Sequence, residues 1–313
     1  MRVGIIGCGN IGKKRAAALT STDQLVAIAE SNRDAWTELT QKFKTEITDD
    51  AGYIINHPTI DAVIIATPPH NHTELIQACL ENNKHVLCEK PIGHSTEEIE
   101  PLIRLSQERK RVLKCGFNLR HDAGLNRAAE LVKQGAIGDP YFFKCNYVNG
   151  CALVNTNGVG ALLDMGTHVI DLIHWFVGNP ENVTGHMQKA EFSKDDNCMF
   201  SFQHKNIIGQ AHCSLIRWRN HFDLEISGSE GSIEIHNLPK WGKQEVRIGQ
   251  RVRPSGIPLM KSEFFEGDLS WANEWTAFEH LCSNNDLTWN THALQVMQTV
   301  NLIQNNSRRT YVS

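Results

Sequence analysis

The segment Gly7-Cys8-Gly9-Asn10-Ile11-Gly12 follows the apolar run Val3–Ile6 directly and opens a helical stretch, and no other feature constrains the chain as strongly. A G-x-G-x-x-G is weak in isolation; between a strand and a helix it becomes the first turn of a dinucleotide-binding βαβ unit. Its glycines have separable duties. Gly7 permits the tight turn, Gly9 lets backbone N–H groups approach a pyrophosphate, and Gly12 lets the helix lie close to the strand. Asn10 and Ile11 start that helix, whose N-terminus adds free donors and partial positive charge.

The rhythm that begins there continues to about residue 118. Apolar runs at Val3–Ile6, Leu25–Ala29, Ala62–Ala66, Val86–Cys88 and Val112–Gly116 alternate with helical stretches near 11–19, 34–43, 72–82 and 96–109. Near-continuous apolar strands separated by helices predict a parallel sheet covered on both faces. Ser95-Thr96-Glu97-Glu98 is a capping box for the last of these helices. After a helix at 123–134 the pattern changes to runs at 141–148, 183–189, 198–203, 207–216, 222–227 and 232–236 joined by short turns, which predicts antiparallel sheet. One helix, 160–177, interrupts it and ends at Gly178, and helices at 270–283 and 290–305 close the chain. Residues 238–268 read as a long excursion with a hairpin. The expected fold is α/β: a doubly wound Rossmann domain over 1–118, and an α+β domain with an open, mostly antiparallel sheet over 119–313.

At 313 residues there is enough chain for two conventional cores. The net charge of −4 offers no field for nucleic acid, and no apolar run reaches the length of a membrane span. Nine cysteines without a C-x-x-C pair imply reduced, mostly buried thiols. With structured chain starting at Met1, a cytoplasmic enzyme is expected. An open antiparallel sheet needs a cover for its outer face, which points to a homo-oligomer, dimer or tetramer, through that sheet.

Glu30 ends the second strand 18 residues past Gly12, near the spacing at which an acidic residue holds the adenosine ribose. A carboxylate there repels a 2′-phosphate and favours NAD; Ser31 and Arg33 are groups suited to NADP. Lys90 stands at the C-terminal end of the strand before Pro91, the edge where open α/β sheets bind ligands. On the helix at 160–177, Asp164, His168 and Asp171 fall within about 60° of one another opposite Leu163, Ile170, Ile173 and Val177, so the stripe faces solvent or a cleft. Three readings remain open for it: a salt-bridged face, an acid–base pair and a metal site. His174 lies off the stripe.

Four stretches, taken together and in order, resemble the Gfo/Idh/MocA family of NAD(P)-dependent sugar and cyclitol oxidoreductases. They are Gly7–Gly12, the segment Ala66-Thr67-Pro68-Pro69-His70-Asn71-His72, the segment Cys88-Glu89-Lys90-Pro91-Ile92, and Gly160 through Asp171. The resemblance implies Lys90, Asp164 and His168 as catalytic and substrate-binding residues, with Thr67, Pro68, Pro69, His72 and Glu89 along the cofactor and no metal. Phe117-Asn118-Leu119-Arg120-His121 resembles the family's junction segment, implying Asn118 at the cofactor and Arg120 at the substrate. The sequence departs from the family at Val159, where a glycine is usual, and in a short link from Tyr147 to Gly158. The implied reaction is hydride transfer at a sugar, nucleotide-sugar or cyclitol carbon, with Lys90 and His168 meeting the same oxygen. A non-catalytic cofactor sensor and a redox-neutral glycosidase or epimerase are the competing classes.

Overall fold

The computed structural model describes residues 1–150, 158–254 and 256–311. It contains two compact units, Met1–Asn118 with Trp271–Met297, and Leu119–Ser270 with Gln298–Ser313. The expected second region, 119–313, is therefore not one piece. The penultimate helix carries Trp275, Phe278 and Leu281, which pack with Val3, Ile5, Ile28, Ile64 and Leu87 of the first unit.

In the first unit the strands β1 (Arg2–Ile6), β2 (Gln24–Ala29), β3 (Glu46–Thr48), β4 (Ala62–Ile65), β5 (His85–Glu89) and β6 (Leu113–Gly116) form a parallel sheet in the order β3-β2-β1-β4-β5-β6. Between them run α1 (Asn10–Ala17), α2 (Trp36–Phe43), α3 (Ala51–Asn56), α4 (His72–Glu81) and α5 (Thr96–Glu108). Strand order reverses between β1 and β4, and in such sheets the crevice at this reversal is the ligand site. The interior strand β4 is Ala-Val-Ile-Ile, buried throughout, as a strand covered on both faces must be. β3 and α3 escaped the sequence reading. β3 is only three residues long with an exposed Glu46, and α3 is a six-residue helix started by Asp50, whose carboxylate accepts from Gly52 N. The Ser95 hydroxyl accepts from Glu98 N, while the Glu98 carboxylate reaches His94 N, one residue earlier than a strict capping box.

The second unit contains α6 (Ala123–Lys133), β7 (Pro140–Val148), α7 (Thr167–Phe176), β8 (Glu181–Lys189), β9 (Asn197–His204), β10 (Ile207–Ser214), β11 (His221–Gly228), β12 (Gly231–His236), β13 (Gln244–Gln250) and β14 (Leu259–Phe265). After these come α8 (Ser270–Ser283) and α9 (His292–Asn305), and then β15 (Ser307–Tyr311). Among the described residues the sheet order is β14-β13-β12-β11-β7-β10-β9-β8-β15; the pairs β7–β10 and β8–β15 are parallel and the rest antiparallel. The excursion at 238–268 is the β13–β14 hairpin. Burial alternates along β9 and β11, so one face of this sheet is packed and the other is more open. The exposed edge strand β15, Ser-Arg-Arg-Thr-Tyr, lacks apolar alternation and was not legible in the sequence.

Candidate functional site

The three glycines of the loop differ in the room around them. Gly7 has φ +84°, a left-handed turn, and a side chain there would strike Ala66 and Thr67 at 2.8 Å. A Cβ on Gly12 would lie 2.2 Å from the Gly7 carbonyl oxygen, so the helix is as close to the loop as backbone allows. A Cβ on Gly9 would meet nothing within 4 Å. Gly9 is also the N-cap of α1, contributing no side chain, and the first turn holds no acidic residue. Uncapped donors at a helix start, next to open space and with no acidic side chain in the helix's own first turn, suit a phosphate.

Glu30 stands beside this loop. One carboxylate oxygen accepts from Cys8 N at 2.7 Å and the other from Asn32 N at 2.8 Å. Two ionised oxygens offer about four acceptor sites, so these bonds orient the carboxylate and leave capacity for ribose hydroxyls. Burial first, and the Glu30 charge second, push the Cys8 thiol up to about 11, which keeps it neutral at the phosphate loop. Ser31 is exposed. Arg33 ion-pairs with Asp49, its Nε 3.1 Å from the carboxylate, and lies over the Trp36 ring.

β1, β4 and β5 run parallel with Ile6, Ile65 and Cys88 in register, so the loop after Gly7, the segment Thr67-Pro68-Pro69 and Lys90 all leave one edge of the sheet. His72, fully buried, bridges the last two: Nδ1 lies 2.8 Å from the Pro91 carbonyl oxygen and Nε2 2.8 Å from that of Thr67. Both ring nitrogens thus face the protein's own backbone, a loop-bracing position for a residue that the family pattern assigns to the cofactor. Burial lowers its pKa against the opposing pull of the two carbonyls.

Glu89 is likewise engaged. It accepts from Arg15 Nε at 2.8 Å, and the same guanidinium donates to Glu274 at 2.6 Å; Lys114 Nζ reaches the other Glu274 oxygen at 2.5 Å. Arg15, Lys114 and Glu274 are at most 2% exposed, and two cations balance two anions. This network was invisible in the sequence because Arg15 and Glu274 are 259 positions apart. Asn118, buried, ends the first of the unit's two segments.

In the second unit the helix expected at 160–177 is in two parts: a π-helical turn, Leu162–Gly166, and then α7. The polar stripe is therefore not a solvent-facing one. The wider turn rotates Asp164 away from the 100° rule, and α7 is buried nearly all round, with Asp171 fully and His168 almost fully enclosed. Asp171 Oδ1 accepts from Arg120 Nε at 2.7 Å, and Arg120 also donates to the Asp171 carbonyl at 3.0 Å. Asp171 is thus Arg120's partner, which leaves Asp164 and His168 as the pair with chemistry to assign. His174 bonds Thr299 at 2.9 Å. Among the described residues no group of three or more His, Cys, Asp or Glu side chains is arranged to hold a metal ion.

Around His168 stand residues that no motif indicated. The Tyr147 ring is edge-on to His168, with centroids 5.8 Å apart, and contacts Phe222 and Trp241. Lys240 Nζ donates to the Tyr147 hydroxyl at 2.8 Å. The Tyr147–Gly158 link noted in the sequence falls largely at 151–157, outside the described residues, as does Cys151. Of the eight described cysteines all are free thiols and seven are buried.

Two family models match the chain: one described as an oxidoreductase family with an NAD-binding Rossmann fold, over residues 1–117, and one described as the GFO/IDH/MocA C-terminal domain, over 125–234. Among curated proteins, a myo-inositol 2-dehydrogenase of Thermotoga maritima is 31% identical over 185 residues, covering 57% of this chain and 55% of its own length. A levoglucosan dehydrogenase of Pseudarthrobacter phenanthrenivorans is 31% identical over 200 residues, covering 57% and 51%. The match spans about half the length of these relatives. Among solved structures, a 3-ketoreductase from Actinomadura kijaniata in complex with NADP and TDP-benzene superposes with a TM-score of 0.88 at 22% identity, covering 100% of this chain and 99% of that one. A levoglucosan dehydrogenase in complex with NADH gives 0.87 at 22%, covering 98% and 96%. At that identity the likeness is one of fold.

Proposed function

Because this chain belongs to the Gfo/Idh/MocA oxidoreductase family, we propose that it transfers a hydride between a nicotinamide dinucleotide and a hydroxyl-bearing or keto carbon of a sugar, nucleotide-sugar or cyclitol. The observation that carries the proposal is the glycine loop: tight at Gly7, open at Gly9, closed against the strand at Gly12. Bound there, the dinucleotide supplies the hydride acceptor or donor. Gly7, Gly9, Asn10, Ile11 and Gly12 hold its pyrophosphate through backbone N–H groups, Glu30 the adenosine ribose, and Thr67, Pro68, Pro69 and Asn118 its remaining length. NAD is the expected form. A 2′-phosphate would sit against the fixed Glu30 carboxylate, and Arg33 is already neutralised by Asp49. His72 and Glu89 brace the segments on either side of Lys90.

His168 accepts the substrate's hydroxyl proton in oxidation and returns it in reduction, Asp164 orients the imidazole, and the Lys90 ammonium stabilises alkoxide character as it develops. Arg120 takes part in substrate binding from its bond to Asp171. Lys90→Ala and His168→Ala are each expected to reduce turnover about 10²–10⁴-fold on whichever sugar or cyclitol reduces the cofactor, and NADH should bind more tightly than NADPH in direct titration. Turnover within a few fold of wild type in either variant removes the catalytic assignment; preference for NADPH transfers the ribose site to Ser31 and Arg33.

The proposal extends to a homo-oligomer assembled through the second unit's sheet. In its support, Tyr141 on β7, Met199 on β9 and Ile208 on β10 are exposed apolar side chains on neighbouring strands. A cytoplasmic setting is supported by the free thiols. No helix among the described residues is long and apolar enough to cross a membrane.

A further inference from the structure

Tyr147 is the next-to-last residue of β7, and its cross-strand neighbours are Cys213 on β10 and Phe222 on β11. Both are apolar, so packing alone would be met by phenylalanine. Instead a hydroxyl stands here, 4% exposed at the level of the residue, accepting from the Lys240 ammonium at 2.8 Å. Lys240 belongs to a short helical turn, Pro239–Trp241, and its ammonium lies 5.3 Å from the Tyr147 ring centroid and 4.7 Å from that of Trp241. A phenol that accepts a bond from a cation becomes a stronger donor through its own proton. The two rings also present apolar faces. All of this is built around the His168 imidazole, its ring centroid 5.8 Å from that of Tyr147.

Resting on the hydride-transfer reading above, we infer that Tyr147 and Lys240 form a second oxygen-binding subsite, which takes the hydroxyl neighbouring the one whose proton His168 exchanges. The substrate class this selects is a polyhydroxylated ring with adjacent hydroxyls. Tyr147 donates to the second oxygen, Lys240 polarises Tyr147, and Trp241 and Tyr147 flank the ring's C–H surface. Tyr147 and Lys240 set which hydroxyl is presented; they do not move the proton of the reacting one.

The test is calorimetric titration of myo-inositol, levoglucosan and their monodeoxy analogues into the NADH-loaded protein, alongside turnover assays with NAD. Tyr147→Phe, which keeps the ring, should weaken binding of the parent polyol and raise its KM about ten- to hundredfold, the range for one lost bond from a polarised donor. Lys240→Met should act in the same direction, with NADH affinity and the thermal midpoint unchanged in both. One deoxy analogue should bind wild type and Tyr147→Phe alike, because each lacks one half of the same hydrogen bond. Variants that bind every polyol as wild type does, or that lose the same factor for every analogue, overturn the subsite. Should Tyr147→Phe fold poorly, Lys240→Met with the analogue series decides. Wild type that binds a polyol without any nicotinamide absorbance change refutes hydride transfer while leaving the subsite to the same comparison; wild type that binds none refutes the subsite.

Discussion

At the residue scale, the glycine loop separates folding from binding. Gly12 and Gly9 look interchangeable as letters, yet a methyl group at the first collides with the Gly7 carbonyl and at the second meets empty space. Gly12→Ala should therefore cost about 1–3 kcal/mol of stability through forced backbone movement. Gly9→Ala should leave the urea midpoint unchanged and weaken NADH about tenfold or more, by filling the gap through which backbone N–H groups meet the pyrophosphate. Paired unfolding and fluorescence titrations check both; equal effects of the two substitutions on stability would refute the division of duties. His72 illustrates the converse. Its place in a motif was legible, but that both ring nitrogens are taken up by Thr67 and Pro91 carbonyls follows from the approach of two segments, just past two strand ends, whose carbonyls are 24 positions apart in the sequence.

At the element scale, α7 and α8 owe their character to where they pack. The amphipathic reading of 160–177 assumed regular 3.6-residue geometry; a π turn at Leu162–Gly166 and burial on nearly all sides override it. α8 carries Glu274 into the ion network of Arg15 and Lys114, so a C-terminal helix becomes part of the nucleotide-binding unit. Removing one partner from such a network strands the others in low dielectric. Glu274→Gln should lower stability by about 3–5 kcal/mol, and Lys114→Met added to it should recover part of that loss by removing the stranded cation. Equilibrium unfolding of the single and double variants measures this, and strict additivity of the two would show that the charges are not coupled.

At the scale of the whole molecule, the break after Asn118 does not make residues 1–118 self-sufficient. Trp275, Phe278 and Leu281 complete the first unit's core, and Trp275 Nε1 donates to Asp23 at 2.7 Å. A chain ending at Asn118 would expose that apolar surface. It should unfold without a cooperative transition, binding a hydrophobic dye, where the full chain unfolds with one; a cooperative, dye-free fragment would show that α8 is dispensable. The doubly wound sheet, the alternating strands of the second unit and the loop for the dinucleotide were determined by local patterning, because period-two and period-3.6 apolar spacing and glycine's backbone freedom act over a few residues. The partners of Glu89, Asp171 and Tyr147, the return of α8 to the first unit and the setting of His168 were decided only in three dimensions. Each depends on charges or rings brought together from distant positions, such as Tyr147 and Lys240, 93 residues apart, and no local periodicity encodes which distant side chain will neutralise a buried charge.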